Sequence, residues 1–373
     1  MPPPWTPLAL VKTSADYLTG KGVPGARLDA EILLCRALGL RGRVELYAGF
    51  ERAVAPAELD RYREWIRRRA AREPVSRILG EKEFMGLRFA VTPAVLSPRP
   101  ESEILVEAAL ARLRPPKPRA APSRGAVEPE EDGAADAAAG AWMDALLDAY
   151  AQGGGEDDDP DAPEVPTPPV AAAGPPRPPP PRWRGAAAAA AVPAAPARIL
   201  DMGTGSGCLA VALAVRHPAA RVAAVDISAE ALAVARANAR ELGVGDRVEF
   251  RLGDWWDACA PDEAFDVIVS NPPYLTEGDP DIWPEARDYD PPKALYGGGD
   301  GLAFFRRLAE GWPGRLKAGG WLLAEVGFGQ SERVADAWRA SGLSDVEIIN
   351  DHADIGRVVA GRRPGASQGA DAK

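Results

Sequence analysis

The sequence is short of the residue types that most often bind metals or form disulfides. Among 373 residues it has two histidines, His217 and His352, and three cysteines, Cys35, Cys208 and Cys259. None of these has the spacing of a metal site. An odd set of scattered cysteines suits a reducing compartment. We therefore expect no bound metal and a cytoplasmic location.

Long apolar runs and net positive charge are also missing. No apolar run approaches the length of about 18 residues that suggests a membrane span. The first residues lack the charged and apolar regions of a secretory signal peptide. The net charge is −10, whereas proteins that bind a phosphate backbone usually carry a basic surface. The sequence therefore predicts neither membrane association nor direct nucleic-acid binding.

Composition divides the chain into five kinds of segment. Apolar residues recur at helical spacing in the first part, and a strand-like stretch over 78–96 follows, with Gly80 and Gly86 at its turns. The predicted segments are a helical domain over 1–75, a β-hairpin connector over 76–97, an α/β domain over 98–114 and 197–362, an insert over 115–196 and a tail over 363–373.

The insert differs from the rest in composition. It is rich in proline, alanine and glycine and contains an acidic run over 156–159. Such a composition cannot bury enough apolar surface to offset the entropy of ordering the chain. The sequence predicts disorder here and in the tail, with one transient helix over 141–151.

After the insert, apolar strand patterns alternate with helical ones. This alternation predicts a doubly wound, mainly parallel seven-stranded sheet with its ligand at the carboxyl ends of the strands. A helix is expected over 302–316 between the fourth and fifth strands. The strands are predicted over 199–201, 221–226, 248–252, 265–270, 321–326, 346–350 and 357–360.

A glycine-rich turn follows the first of these strands. Its members are Asp201, Gly203, Thr204, Gly205, Ser206 and Gly207. Glycines at alternate positions allow a tight turn and a close approach of a ligand to the backbone. The spacing differs from the dinucleotide-binding pattern, and the Asp201 carboxylate would repel a pyrophosphate. A ligand that carries an ammonium group fits this turn better.

The next two strands also end in residues suited to a ligand. Asp226 could accept hydrogen bonds from both hydroxyls of a ribose, although it could also cap the following helix. Asp254 and Trp255 offer an acid and an aromatic wall for a purine. Three successive strand ends with such groups indicate a nucleoside-type ligand.

The fourth strand ends at Asn271, which Pro272, Pro273 and Tyr274 follow. Two prolines cannot continue the hydrogen-bond ladder, so the chain turns there with restricted φ angles. The Asn271 oxygen and a backbone carbonyl can accept from the two N–H groups of a planar NH2, and the tyrosine ring can lie against its face. The alternative is a plain turn at the end of a strand.

These stretches together resemble the S-adenosylmethionine site of class I methyltransferases that act on amino and amide nitrogens. Other stretches narrow the resemblance to the bacterial peptide chain release factor glutamine methyltransferases, the PrmC/HemK family. They are Glu73-Pro74-Val75, Ile78-Leu79-Gly80, residues 83–87 and Pro98-Arg99-Pro100-Glu101. The resemblance covers about residues 5–113 and 197–362. Departures from the family pattern are the long insert, a loose fifth strand, and Ser102 in place of the usual threonine.

The resemblance implies methyl transfer from S-adenosylmethionine to the side-chain nitrogen of the glutamine in a release factor's Gly-Gly-Gln loop. It implies that the residues of the turn, with Asp226, Asp254, Trp255 and Asn271, bind the cofactor. The stretch 271–274 would hold the substrate amide and form the catalytic site, and Arg99 and Glu101 would also bind the substrate. The helical domain would dock the protein substrate. From its residues, the arginine-rich helix over 61–72 is either the solvated face of an amphipathic helix or a docking surface for an acidic partner or RNA. We expect a monomer.

Other functions remain open at this point. Related enzymes methylate a glutamine of a ribosomal protein, but they tend to have serine where Pro100 stands. Methyltransferases of adenine N6 or guanine N2 use the same Asn-Pro-Pro-Tyr logic, but they should carry a basic recognition surface. A non-catalytic adaptor would not need the cofactor residues.

Overall fold

The computed structural model describes residues 5–113, 196–279 and 282–365. The predicted disorder of the insert and tail and the predicted helix over 141–151 lie outside these ranges, except for Pro196 and residues 363–365. None of the described helices is long and apolar enough to cross a membrane. The described ranges also contain no cluster of histidine, cysteine or carboxylate side chains that could hold a metal ion.

The N-terminal region is a bundle of short helices around an apolar core. The helices are α1 (Pro7–Gly20), α2 (Ala26–Ala37), α3 (Arg43–Ala48), α4 (Pro56–Ala70) and α5 (Val75–Leu79). Helix α1 begins where the Thr6 hydroxyl accepts from the Ala9 N–H and a proline follows, as is typical of helix starts. Leu18, Leu33, Leu34 and Tyr62 are almost fully buried between the helices.

The predicted strand-like stretch begins later than expected. Ile78 and Leu79 lie in α5, because the Pro74 carbonyl accepts from the N–H groups of Arg77 and Ile78 and starts a helical turn. Gly80 ends this helix in the left-handed region, with φ 71°. A glycine there costs no steric strain, so a helix forms where the apolar run alone suggests a strand.

A β-hairpin joins the helices to the α/β domain. It consists of β1 (Glu81–Phe84) and β2 (Leu87–Ala90). Met85 and Gly86 turn the chain with φ angles of 54° and 73°, both positive as in the tight turns that suit twisted hairpins. Phe84 and Phe89 are buried in the same core as Leu105 and Leu209 of the α/β domain.

The α/β domain is a seven-stranded sheet with helices on both faces. Its helices are α6 (Ser102–Leu113), α7 (Cys208–Arg216), α8 (Ala229–Glu241), α9 (Pro284–Tyr289), α10 (Pro292–Leu295), α11 (Ala303–Gly311) and α12 (Ser331–Ala340). Its strands are β3 (Arg198–Met202), β4 (Arg221–Asp226), β5 (Val248–Leu252), β6 (Phe265–Ser270), β7 (Leu316–Glu325), β8 (Ser344–Asn350) and β9 (Gly356–Arg362).

The strand order is β5-β4-β3-β6-β7-β9-β8. Strands β3 to β7 pair in parallel, and β9 runs antiparallel to both β7 and β8. One core lies under α6, α7 and α8, and a second lies under α11 and α12 on the opposite face. The predicted fold class, a doubly wound and mainly parallel sheet, is confirmed.

The helix predicted over 302–316 is shorter in the structure. Helix α11 ends at Gly311, a 3-10 turn covers Trp312–Gly314, and β7 already begins at Leu316. Pro313 has no N–H and clashes with a preceding helical turn, which explains the early end. The short helices α9 and α10 were not predicted, since each spans fewer than two full turns and carries little periodic signal.

Candidate active site

A cavity of about 840 Å³ opens at the carboxyl ends of β3 to β6. It brings together most of the residues that the sequence singled out. Those that line it are Gly203, Thr204, Gly205, Ser206, Asp226, Asp254, Trp255, Asn271, Pro273 and Arg99. Asp201, Gly207, Pro272, Tyr274 and Glu101 lie outside its wall. The binding and catalytic roles assigned to all of these residues stay predictions.

The glycine-rich turn is held by the neighbouring strand. The N–H groups of Gly203 and Thr204 both donate to the Val225 carbonyl at 2.9 Å. Gly203 and Gly205 have φ angles of 75° and 54°, and a Cβ built on either would meet no atom within 4 Å. The turn therefore leaves open space above its backbone, as a closely approaching ligand requires.

Gly207 serves a different purpose from the other two glycines. A Cβ at this position would lie 2.9 Å from the Ala235 Cβ of α8. Its φ of 80° also favours glycine. Gly207 therefore permits close packing of α7 on α8 and does not face the ligand space.

Asp201 supports the turn from beneath. The side chain is fully buried, and one oxygen, Oδ2, accepts from the Thr204 hydroxyl at 2.7 Å and from the Ala210 N–H at 3.1 Å. The other oxygen, Oδ1, is buried without a hydrogen-bond partner. Burial raises the pKa of Asp201 to about 7, because removal from water disfavours the charged form.

Asp226 stands at the cavity wall with both oxygens oriented by backbone groups. Oδ2 accepts from the Gly205 N–H at 2.8 Å, and Oδ1 accepts from the Ser228 N–H at 2.9 Å. Each carboxylate oxygen can accept more than one hydrogen bond. The carboxylate is thus held in a defined position and can still bind hydroxyl groups.

Asp254 and Trp255 form the third part of this wall together with two residues of α11. Arg307 donates to Asp254 at 3.0 Å and lies over the Trp255 ring. Phe304 stacks on Trp255 with ring centroids 5.0 Å apart. The sequence reasoning missed Phe304 and Arg307, since nothing local indicates that α11 returns to the end of β5.

Another residue that the sequence reasoning missed is Asn238, which is buried on α8. Its Oδ1 accepts from the Ala90 N–H at 2.8 Å, and its Nδ2 donates to the Ser206 carbonyl at 2.8 Å. This side chain therefore connects the hairpin to the glycine-rich turn. An asparagine within an amphipathic helix carries no signal for such a role.

Asn271 lies at the far end of the cavity from the acidic strand ends. Its Nδ2 donates to the Ser102 hydroxyl at 3.0 Å, and that hydroxyl donates to Oε2 of Glu325. The Tyr274 hydroxyl donates to Oε1 of the same carboxylate at 3.4 Å. Three segments distant in sequence thus meet around one amide.

Glu325 is buried at this meeting point, with 2% of its surface exposed. Burial raises its pKa to about 7, with the Glu101 charge acting in the same direction and the Arg357 charge opposing it. Burial also raises the pKa of Tyr274. Since Tyr274 would have to lose its proton against burial and a nearby carboxylate, it acts here as a neutral donor.

The turn after Asn271 is fixed by the segment that follows β7. Gln330 donates through Nε2 to the Tyr274 carbonyl at 2.9 Å and accepts from the Gly327 N–H at 3.0 Å. A Cβ on Gly327 would lie 2.9 Å from the Tyr274 ring. The tyrosine ring therefore packs directly on this backbone.

Arg99 and Glu101 differ in their surroundings. Arg99 donates to the buried Asp290 at 2.9 Å, and Arg77 donates to the other oxygen of the same carboxylate at 2.9 Å. Glu101 is exposed near the start of α6. Arg99 thus fixes one side of the cavity mouth to the segment between α9 and α10.

Some arginines of the arginine-rich helix α4 form ion pairs within the protein. Arg69 is buried and pairs with Asp29 at 2.6 Å and with Glu285 of α9 at 3.0 Å. Arg68 pairs with Glu73. The exposed arginines of this helix are Arg61, Arg63 and Arg67.

The fold and this cavity define the class of the protein as a methyltransferase. Residues 188–284 match the family model described as "Methyltransferase small domain", and residues 9–80 match the model described as "PrmC N-terminal domain".

Curated relatives resemble the chain over nearly its whole length. "Release factor glutamine methyltransferase" of Geobacter sulfurreducens is 36% identical, covering 96% of this chain and 97% of the relative. Proteins of the same name from Cereibacter sphaeroides and Bordetella pertussis are 33% and 34% identical, over 95% and 93% of this chain and 98% and 97% of theirs. The chain belongs to the release factor glutamine methyltransferase family.

Proposed function

We propose that the protein transfers a methyl group from S-adenosylmethionine to the side-chain amide nitrogen of the glutamine in a release factor's Gly-Gly-Gln loop. One observation supports this proposal most strongly. Asn271 and Pro273 line the same cavity as the glycine-rich turn and Asp226. An acceptor for an amide NH2 is therefore within the space that also offers a nucleoside site. Membership of the family supports the same substrate.

The residues of the cavity fit the proposed cofactor. Gly203 and Gly205 leave open space where side chains would otherwise stand, and the Asp226 carboxylate can accept from ribose hydroxyls. Trp255 and Phe304 supply aromatic surface. The Asp226 and Asp254 carboxylates of the cavity wall suit a ligand with a positive charge. When bound, S-adenosylmethionine supplies an electrophilic methyl on a sulfonium, whose sulfur keeps the bonding electrons as the methyl leaves.

The residues of the chain would compensate for the low reactivity of the substrate's amide nitrogen. An amide nitrogen reacts poorly because its lone pair is delocalised into the carbonyl. Acceptance of its two N–H groups by Asn271 Oδ1 and the Pro272 carbonyl would hold the nitrogen in line for attack and favour the positive charge that develops on it. The new N–CH3 bond forms as that charge appears, and the nitrogen then loses a proton to water. No strong base is required of the protein.

The experiment locates the label from methyl-labelled S-adenosylmethionine. Intact release factor should become labelled on the glutamine of its Gly-Gly-Gln loop, and a release factor with alanine in place of that glutamine should stay unlabelled. Large ribosomal subunits and duplex DNA serve as competing substrates in separate reactions. Label that enters only the ribosomal protein or the nucleic acid would show that the proposed substrate is wrong.

A further inference from the structure

We propose that Ser102 and Glu325 set the orientation of the Asn271 side-chain amide, so that its oxygen and not its NH2 group faces the substrate. The two residues are positioning residues for the reaction proposed above, and the inference rests on that proposed function. Ser102 begins α6 and Glu325 ends β7. The orientation of Asn271 is therefore decided by parts of the chain outside its own motif.

The direction of each hydrogen bond carries the argument. A hydroxyl has one hydrogen to donate, whereas an ionised carboxylate can only accept. The direction of this network is therefore set by the ionised form of Glu325, which predominates above its pKa of about 7. The Ser102 hydroxyl donates its hydrogen to Glu325 and can offer Asn271 only a lone pair. Asn271 must therefore turn its Nδ2 toward Ser102, as it does at 3.0 Å. Its Oδ1 is left as the acceptor for a substrate N–H.

Burial makes this direction hard to change. Ser102 and Glu325 are each 2% exposed, so there is little access for water to replace either partner. The other oxygen of Glu325 accepts from the Tyr274 hydroxyl at 3.4 Å. Both oxygens of the carboxylate thus face donors, and with Glu325 ionised the polar network is satisfied in the order observed.

Reversal of the network would place a donor against the substrate's donors. An Asn271 side chain turned by half a rotation would point its NH2 at the glutamine NH2 and would instead suit an acceptor such as a carboxylate. A site built to accept from an N–H group discriminates strongly against a ligand that lacks one. The orientation of Asn271 should therefore determine the choice between glutamine and glutamate.

The test uses two variants that disturb the network in different ways and one that preserves it. Ser102→Ala removes the hydroxyl and keeps the charge of Glu325, Glu325→Gln keeps the shape and adds a donor, and Ser102→Thr keeps the hydroxyl. We expect Ser102→Ala and Glu325→Gln to lower kcat about 10- to 100-fold. Affinity for S-adenosylmethionine, measured by calorimetry, and the melting temperature show whether each variant is folded. Ser102→Thr should stay near the parent.

A second readout separates orientation from general disturbance of the site. A release factor whose loop glutamine is replaced by glutamate is used as an inhibitor, and its inhibition constant is compared with the KM for the normal loop. The parent should reject the glutamate loop. Both Ser102→Ala and Glu325→Gln should lower the ratio of the glutamate loop's inhibition constant to the glutamine loop's KM about 10-fold, because the Asn271 amide can then turn. A general structural defect would weaken the binding of both loops to the same extent.

Two results would overturn the proposal. One is a parental kcat and loop preference in Ser102→Ala. The other is a narrowed preference in Glu325→Gln alone, since this would trace the effect to the lost charge and not to the amide. Failure of the parent to methylate release factor would instead contradict the proposed function. If Glu325→Gln does not fold, Ser102→Ala and Ser102→Thr still decide the question.

Discussion

The two ends of the cavity are built in different ways. At the cofactor end, the glycine-rich turn after β3 is held by hydrogen bonds to the end of the adjacent strand β4, through Val225 and Asp226. At the transfer end, Asn271 is held by Ser102 at a separation of 169 residues, and Ser102 is held by Glu325 at a separation of 223 residues. The glycine-rich turn is held within consecutive βα units, whereas the surroundings of Asn271 are assembled from distant segments.

The two ends of the cavity should respond differently to substitutions. Hydrogen bonds to the adjacent strand β4 hold the glycine-rich turn, so its shape depends mainly on correct pairing of β3 with β4. Side chains hold the transfer end, so single substitutions there can alter the chemistry while the sheet stays intact. We therefore expect variants of the two ends to separate cofactor binding from methyl transfer.

The largest effect is expected at the transfer end. Asn271→Ala should lower turnover about 10²- to 10³-fold, which is the usual loss when one preorganised hydrogen-bonding group is removed from a transition state. Cofactor affinity should stay at the parental value, because the cofactor end is untouched. Steady-state rates and calorimetric titration measure the two quantities. Turnover near that of the parent would remove Asn271 from the mechanism.

At the cofactor end, a substitution should weaken cofactor binding and leave turnover nearly unchanged. Asp226→Asn keeps the shape but loses the charge and one acceptor, and hydrogen bonds to charged groups are stronger than neutral ones. Affinity for S-adenosylmethionine should fall about 10-fold or more, while turnover at saturating cofactor stays within a few-fold of the parent. An unchanged dissociation constant would show that Asp226 orients the backbone only.

Both ends contain a buried acid, and their stability should depend on pH in the same direction. The pKa values of Asp201 and Glu325 are each raised to about 7 in the folded protein. The folded state therefore binds more protons than the unfolded state between about pH 4 and pH 7. Their contribution to the unfolding free energy is fully present below about pH 4 and is lost as the pH rises to about 7.

Chemical denaturation across this pH range tests the assignment. Each pKa unit corresponds to about 1.4 kcal/mol, so Glu325→Gln and Asp201→Asn should each flatten the decline in unfolding free energy relative to the parent. Glu241→Gln serves as a control, since this carboxylate is exposed at the end of α8. A parental slope in both variants would contradict the raised pKa values.

The smallest effect is expected away from both ends. Arg63 and Arg67 are exposed on α4, although Arg63 lies 3.9 Å from Asp60 of the same helix. Arg68 and Arg69 form closer pairs within the protein. If α4 docks an acidic surface of the release factor, changing Arg63 and Arg67 to Glu should slow methylation of intact release factor a few-fold at low salt, where screening is least.

A matched control for this change reverses Arg240 and Arg339, which are exposed on α8 and α12. That variant should keep the parental rate on release factor, and both variants should bind S-adenosylmethionine like the parent. Equal rates for the two double variants and the parent would place substrate docking elsewhere, with the hairpin as the next candidate.

Local pattern predicted well where the residues at the ends of β3, β4 and β5 lie. The predicted bounds of β4, β5 and β6 agree with the structure, and the glycine-rich turn, Asp226, Asp254 and Trp255 come together at the strand ends. This was possible because parallel strands of one sheet necessarily end at the same edge. The residues that stand at those ends are thus neighbours once the strands are recognised.

Two members of the glycine-rich turn have surroundings that the sequence did not predict. Asp201 and Gly207 belong to the same glycine-rich stretch as Gly203 and Gly205, yet neither lines the cavity. The direction in which each group points depends on how α7 packs on β3 and α8. Sequence spacing alone does not contain that information.

The sequence by itself determined the α/β class, the carboxyl ends of β4, β5 and β6 and the turn that places Asn271 after β6, because alternating apolar patterns and a proline-blocked strand act over a few residues. Only the tertiary structure decided that Ser102 and Glu325 surround that asparagine and that Phe304 stacks on Trp255. These contacts join residues of ordinary type from distant segments. Their closeness results from packing both faces of the sheet, which no local pattern expresses.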